Sequence, residues 1–259
     1  MAVNFPVLTS LLRRRPVVIS EVAAPVTKPW RWLLPALVLG LLLAFVPSID
    51  LAVSALFYSP DAGFYLKNHA LVQLFYRSEV WLCVTAAVSL LTVLLLGFFP
   101  RARGCRRQRR AAIYLLLVLA IGPGLIVNVA FKNHWDRARP HQIERFGGAR
   151  HFTPALLPSD QCERNCSFTS GHAALGFSFA AIGFVAGRRR QRWMAAGVTL
   201  GAILGFVRIA QGAHFLSDVV FAFCFVFITA WILHALLYRT ACTPSNEPRL
   251  AAIGSSEPA

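Results

Sequence analysis

The sequence predicts an all-α, polytopic membrane protein with six transmembrane helices in one bundle. Three observations carry that expectation. Of the 259 residues, 56% are hydrophobic and the mean hydropathy is +0.57, more apolar than a water-soluble domain of this length. Six apolar runs, at about 32–49, 80–99, 111–131, 172–187, 193–209 and 215–238, approach the roughly 20 residues that a helix needs to cross a bilayer. The charge, finally, is sorted by side. Residues 1–31, 100–110, 188–192 and 239–259 hold 17 of the 26 lysines and arginines but 3 of the 11 acids, a net of +14 against +1 for the alternate loops. Basic residues gather on the cytoplasmic side of membrane proteins, so both termini are expected in the cytoplasm. The overall charge of +15 is thereby a topology signal, and nucleic acid is not an expected partner.

Each element follows in order. Residues 1–31, with Arg13-Arg14-Arg15 and then Lys28, Pro29 and Arg31, form a basic cytoplasmic segment ahead of the first run. Its length resembles that of a retained anchor more than that of a cleaved signal. Residues 32–239 are read as one six-span domain, and 240–259 as a polar cytoplasmic tail without fixed structure. Between the first two runs lies an outer loop bearing Phe57, Tyr58, Phe64, Tyr65, Phe75 and Tyr76, a density of aromatics expected of an interfacial belt. The second run closes at Pro100. The third contains Gly122-Pro123-Gly124, which should bend or loosen its helix. The fourth and fifth are short and rich in Gly and Ala, as helices packed inside a bundle are.

Residues 133–171 make the longest loop between runs, and a loop of that length inside a compact protein is usually functional or disordered. It holds Cys162 and Cys166, the two cysteines expected on the outer side, where oxidation is permitted and a local disulfide is anticipated. Two cysteines do not make a zinc site, which takes about four ligands.

Polar residues with chemical capacity sort to one face. Lys132 and Arg139 follow the third run, Ser170-Gly171-His172 opens the fourth, Arg208 ends the fifth, and His214 with Asp218 opens the sixth. The alternation of loops puts all of them on the outer side. Three cations suit a phosphoryl dianion, and a helix N-terminus adds free N–H groups. His214 and Asp218 are four apart, one face of a helix, so the carboxylate is expected to hold one ring nitrogen and leave the other to attack phosphorus. His172 is the candidate acid for the departing oxygen, since an alkoxide leaves poorly unless protonated.

These residues resemble the signature of the type-2 phosphatidic acid phosphatases: Lys-x6-Arg-Pro, then Pro-Ser-Gly-His, then Ser-Arg-x5-His-x3-Asp. Lys132, Arg139 and Pro140 match the first block in full. Ser170, Gly171 and His172 match the second, with Thr169 in place of proline, and Arg208, His214 and Asp218 match the third, with Val207 in place of serine. The resemblance implies a six-span bundle, a phosphohistidine intermediate on His214 and no metal or other cofactor. The run Asn165 to His172, with Phe146-Gly147-Gly148 upstream, is similar to the lipid A 4'-phosphatase branch. The implied partner is a membrane phospholipid or lipid A at the periplasmic face of an inner membrane, with the oligomeric state left open. Phosphatases of undecaprenyl diphosphate or phosphatidylglycerophosphate, lipid phosphotransferases and vanadium-haloperoxidase-like enzymes share the same pocket chemistry.

Overall fold

The structure, a computed structural model, describes residues 28–239. The expectations for the basic segment before residue 28 and for the tail 240–259 lie outside the described residues. Within them the chain is helical almost throughout. Helix α1 runs Trp30–Phe45 and stops at Val46-Pro47, because a residue before proline is driven out of helical conformation. Helix α2, Ser48–Ala55, sets off from Pro47 at 94° to α1. A two-residue hairpin follows, β1 (Tyr58–Ser59) against β2 (Gly63–Phe64).

Helix α3 (Ala70–Leu96) packs on α4 (Arg103–Leu119) and presents most of its surface outward, Trp81 and Val80 included. The helix of α4 continues to Phe131 in a wider, π-helical winding over Ala120–Phe131. Pro123 accounts for the change: it has no N–H to donate and its ring crowds the carbonyl one turn back. The looser winding is sealed by Asn128 Nδ2, which donates to Pro123 O at 2.8 Å, and by Lys132 N–H, which donates to Val127 O at 3.1 Å. The loosening expected from Gly122-Pro123-Gly124 thus takes the form of a change of winding that sets the position of Lys132.

Helix α5 (Gly171–Ser178) passes through a 3₁₀ turn, Phe179–Ala181, into a last turn, Ile182–Val185. It lies inside the bundle against α6 (Arg190–Ala210), and glycine permits the approach: a Cβ on Gly176 would stand 2.6 Å from Gly201 Cα. Helix α7 (Leu216–Arg239) completes the core with Phe223, Cys224 and Phe227.

Four helical stretches are long and apolar enough to cross a membrane: Ala70–Leu96, Arg103–Phe131, Gly187–Ala210 and Leu216–Tyr238. The bent pair of α1 and α2 makes a fifth if counted as one span. All six apolar runs are helical, but the expected count of six spans becomes four or five by length. The fourth run falls short because its helix is interrupted and buried; about 15 residues rise roughly 22 Å, less than the ~30 Å of hydrocarbon.

One end of the bundle carries a folded cap. Phe64, Ala138, Ile143, Phe146 and Phe215 form a small core there, with Tyr58 and Phe146 rings 5.1 Å apart. The aromatics of the 50–78 region therefore divide: Tyr58 and Phe64 pack into the cap, whereas Tyr65, Phe75 and Tyr76 stay exposed as a belt requires, Tyr76 with one face stacked on His172. The long loop 133–171 is an ordered part of this cap, anchored by Phe168, whose buried ring meets Trp135 at 5.2 Å and Phe131 at 5.6 Å.

Candidate active site

The sequence-selected residues meet at the capped end. Lys132 ends the π-helical stretch, Arg139 sits in the cap, Ser170 caps α5, Arg208 lies in the last turn of α6, and His214 and Asp218 bracket the start of α7. Ser170 Oγ accepts from Ala173 N–H at 3.5 Å, and Ser170 N–H donates to Asp218 O at 3.3 Å, which ties the opening of α5 to α7. Glycine at 171 follows from the crowding beside it: a Cβ would stand 2.8 Å from Asn128 Oδ1 and 3.3 Å from Lys132 Nζ.

His214 is buried, and its Nδ1–H donates to the Ser167 carbonyl at 2.7 Å. Asp218 Oδ2 is 3.6 Å from the same nitrogen, outside hydrogen-bond range. The direct carboxylate–imidazole bond expected from the four-residue spacing gives way to this arrangement because Asp218 is already engaged. It accepts from Arg137 Nη1 at 2.6 Å, from Ser167 Oγ at 2.5 Å and from Phe215 N–H at 2.8 Å. The carboxylate thus reaches His214 at one remove, by fixing Ser167, and the Nδ1–H bond leaves Nε2 as the basic nitrogen. Burial pushes the His214 imidazole down to about 3, with Arg208 and Lys132 acting in the same direction and Asp218 opposing them, so the ring is neutral.

The sequence reading did not single out the network behind Asp218. Arg137 is buried and bridges two carboxylates, Asp218 and Asp50, the latter at 2.9 Å from Nη2. Asp50, in the first turn of α2, also accepts from Ser217 N–H at 2.9 Å and from the Ser217 hydroxyl. Arg137 stands two residues before Arg139 in the first motif, so its position was visible and its partners were not.

Three cations, Lys132, Arg139 and Arg208, gather beside the two histidines. Burial lowers Lys132 to about 8, with Arg139 and Arg208 adding to the effect, while Glu79 and Asp218 oppose it. Arg139 is lowered by burial as well. Its Nη2 and Nε donate to Asn165 O at 2.6 and 3.2 Å. Asn165 belongs to the loop closed by the Cys162–Cys166 disulfide, with Cα atoms 5.7 Å apart, and Cys166 N–H donates to Lys132 O at 3.2 Å. Arg208 Nη1 donates to Gln211 Oε1 at 2.5 Å, and its guanidinium lies 4.8 Å from the centre of the Tyr76 ring. His172 stacks on that ring at 5.1 Å, and its Nε2 lies 3.0 Å from Glu79 Oε2. Behind the first turn, His141 accepts no bond at Nδ1 but donates it to Gly212 O at 2.8 Å, joining the Arg139-Pro140 turn to the segment before His214. Among the described residues no three His, Cys, Asp or Glu side chains are grouped to hold a metal ion.

A neutral imidazole, a second histidine and three cations at the end of an apolar helical bundle define a membrane-embedded phosphoryl-transfer enzyme. Residues 111–241 match the PAP2 superfamily, and the chain belongs to it. The protein is a membrane lipid phosphatase, a phosphoric monoester hydrolase. It is 34% identical over 221 residues to the lipid A 4'-phosphatase of Francisella tularensis subsp. novicida, a match that covers 78% of this chain and 96% of that protein. Lipid A 4'-phosphatases of Rhizobium leguminosarum and Rhizobium etli are 45% and 43% identical over 103 and 102 residues, each match covering 39% of this chain and 44% or 40% of the relative. No solved structure matches the chain.

Proposed function

We propose that the protein removes the 4'-phosphate of lipid A at the periplasmic face of the inner membrane, with His214 as nucleophile and His172 as acid. The observation that carries the chemistry is the meeting of Lys132, Arg139 and Arg208 with the two histidines, although these residues come from four separate parts of the chain. The substrate follows the names of the relatives, one of which matches over nearly its whole length. An apolar cleft of about 320 Å³ between α3, α4 and α5 begins at Leu82, one turn from Glu79, and supports a substrate with acyl chains.

In this reading the three cations, the Ser170 hydroxyl and the Gly171 N–H hold the phosphate oxygens. The His214 Nε2 lone pair attacks phosphorus, the bond to the sugar oxygen breaks, and His172 gives that oxygen a proton. Ser167 O holds the Nδ1–H and so accommodates the charge that develops on His214. Water then attacks the phosphohistidine, its proton passes to His172, and phosphate leaves. Stabilising the charge on the equatorial oxygens falls to the cations, in a pocket with little water to screen them.

The test is mass analysis of lipid A from a host carrying a 4'-phosphorylated form and expressing this chain. The wild type is expected to remove one phosphate, at the 4' position. His214→Ala, expressed at the same level, is expected to leave lipid A unchanged. Loss of the 1-phosphate instead, or dephosphorylation confined to undecaprenyl or glycerophospholipid pools, would overturn the substrate assignment.

A further inference from the structure

Glu79 is a carboxylate placed at an anion site, and neither the motifs nor the mechanism above uses it. It lies in α3, three residues after Tyr76, with a quarter of its side chain exposed, and its Oε2 is 3.0 Å from His172 Nε2. The pair is at ion-pair distance but off the hydrogen-bond direction, so His172 Nε2 is buried without a hydrogen bond. Tyr76 stacks on the imidazole with the two planes 10° apart and so fixes the ring's plane. The other charged and titratable groups facing His172 are Lys132 from the end of α4, Arg139 from the cap, Arg208 from α6 and His214 before α7. Burial first, and then every cation among them, disfavours a charged imidazole and lowers His172 to about 3. Asp218 is held by Arg137, Ser167 and Phe215, which leaves Glu79 as the carboxylate directly against His172.

We propose that Glu79 is the positioning residue of the acid step: with Tyr76 it aligns His172 and favours its protonation against burial and the surrounding cations, so that the ring can protonate the leaving oxygen. With one ring nitrogen turned to Glu79, the other delivers the proton. The site then holds two histidine–carboxylate arrangements of opposite purpose. One leaves His214 neutral for attack, with Asp218 acting through Ser167. The other sets a carboxylate directly against His172, the contact at this ring that favours taking up a proton. The proposal rests on His172 being the acid.

The test uses the full chain in detergent, with a short-chain phosphatidic acid as the poor leaving group and p-nitrophenyl phosphate as the good one. For Glu79→Gln, kcat on the lipid is expected to fall about 10- to 100-fold, the scale of a weakened general acid. The alkaline limb of its pH–rate profile moves to lower pH by about one unit, because His172 loses its proton more readily without the carboxylate. On p-nitrophenyl phosphate kcat changes by less than about threefold. KM for either substrate stays level or falls, since a negative charge has left a cationic pocket. Glu79→Asp is expected to recover part of the rate and of the limb. Equal loss on both substrates, or unchanged rates and an unmoved limb, overturns the proposal. His172→Ala, measured alongside, separates the two possible failures. If it also loses both substrates equally, the acid assignment falls; if it loses the lipid selectively and Glu79→Gln does not, the Glu79 role alone falls.

Discussion

Lys132 shows how a single residue converts burial into a functional range. Its ammonium is held near 8, first by burial and then by Arg139 and Arg208, so it carries its charge at neutral pH and gives it up as pH rises past that value. A cation that deprotonates loses its attraction for an anion. Inhibition by inorganic phosphate is therefore expected to weaken above pH 8, by up to about tenfold per unit, as the proton is lost. Lys132→Arg, which stays charged throughout, is expected to flatten that decline; a decline that persists in the variant would assign it elsewhere. Asp50 teaches a different lesson at the same scale. It never meets the pocket, yet removing it would leave the buried Arg137 guanidinium and the Ser217 N–H short of a partner. Breaking a buried ion pair on one side costs about 3–5 kcal/mol. Asp50→Ala is expected to lower the melting temperature in detergent markedly and to reduce turnover through Asp218. A wild-type melting temperature would show that the network does not hold the fold.

At the scale of the element, the disulfide loop bears on the site through two residues, Asn165 and Cys166. Asn165 O holds the Arg139 guanidinium, and Cys166 N–H holds the backbone of Lys132. Closing so short a loop restrains the unfolded chain little, by about 2 kcal/mol or less. The positional effect should be larger, because a shift of about 1 Å at a binding group can cost about a hundredfold in rate. Cys162→Ser with Cys166→Ser is expected to lower kcat/KM at least tenfold while moving the melting temperature by only a few degrees. Parallel losses in both would mean that the loop supports folding and does not position Arg139. The π-helical stretch has a comparable role. Pro123 widens the winding, Asn128 Nδ2 satisfies the Pro123 carbonyl, and the altered phase brings Lys132 to Gly171.

For the molecule as a whole, the charge split between alternating loops is what supports the proposal that the cap faces the periplasm. A reporter active only in the periplasm is expected to work when fused after residue 150, in the cap, and to be silent after residue 190, at the start of α6. The opposite pattern would reverse the topology and take the lipid A assignment with it, since that phosphate is presented at the outer face in the proposed reading. Short helices complicate a simple count of crossings: α5 is enclosed by its neighbours, and α1 with α2 turns sharply at Pro47. Neither needs to span the hydrocarbon alone to satisfy its backbone, because each helix makes its own hydrogen bonds and the bundle covers the remainder.

By itself the sequence determined the membrane class, the position of each apolar helix and the three ordered blocks of motif residues. Hydrophobic runs and motif spacing are local or one-dimensional properties, and they survive without knowledge of packing. His172, His214, Lys132, Arg139 and Arg208 were legible because their chemistry is unusual at the ends of apolar runs. Glu79, Asp50, Arg137 and Ser167 were not. A glutamate just before an apolar run, an aspartate after a proline and an arginine in a basic motif each have an ordinary surface explanation, and nothing in their spacing points to partners 80 or more residues away. Only the tertiary structure decided that Asp50 and Asp218 share Arg137, at sequence separations of 87 and 81. It also decided that Asp218 serves His214 through Ser167, and that Tyr76 and Glu79 stand against His172. The physical reason is that a carboxylate's partner is chosen by competition among the donors that folding brings within 3 Å, and that competition has no counterpart along the chain.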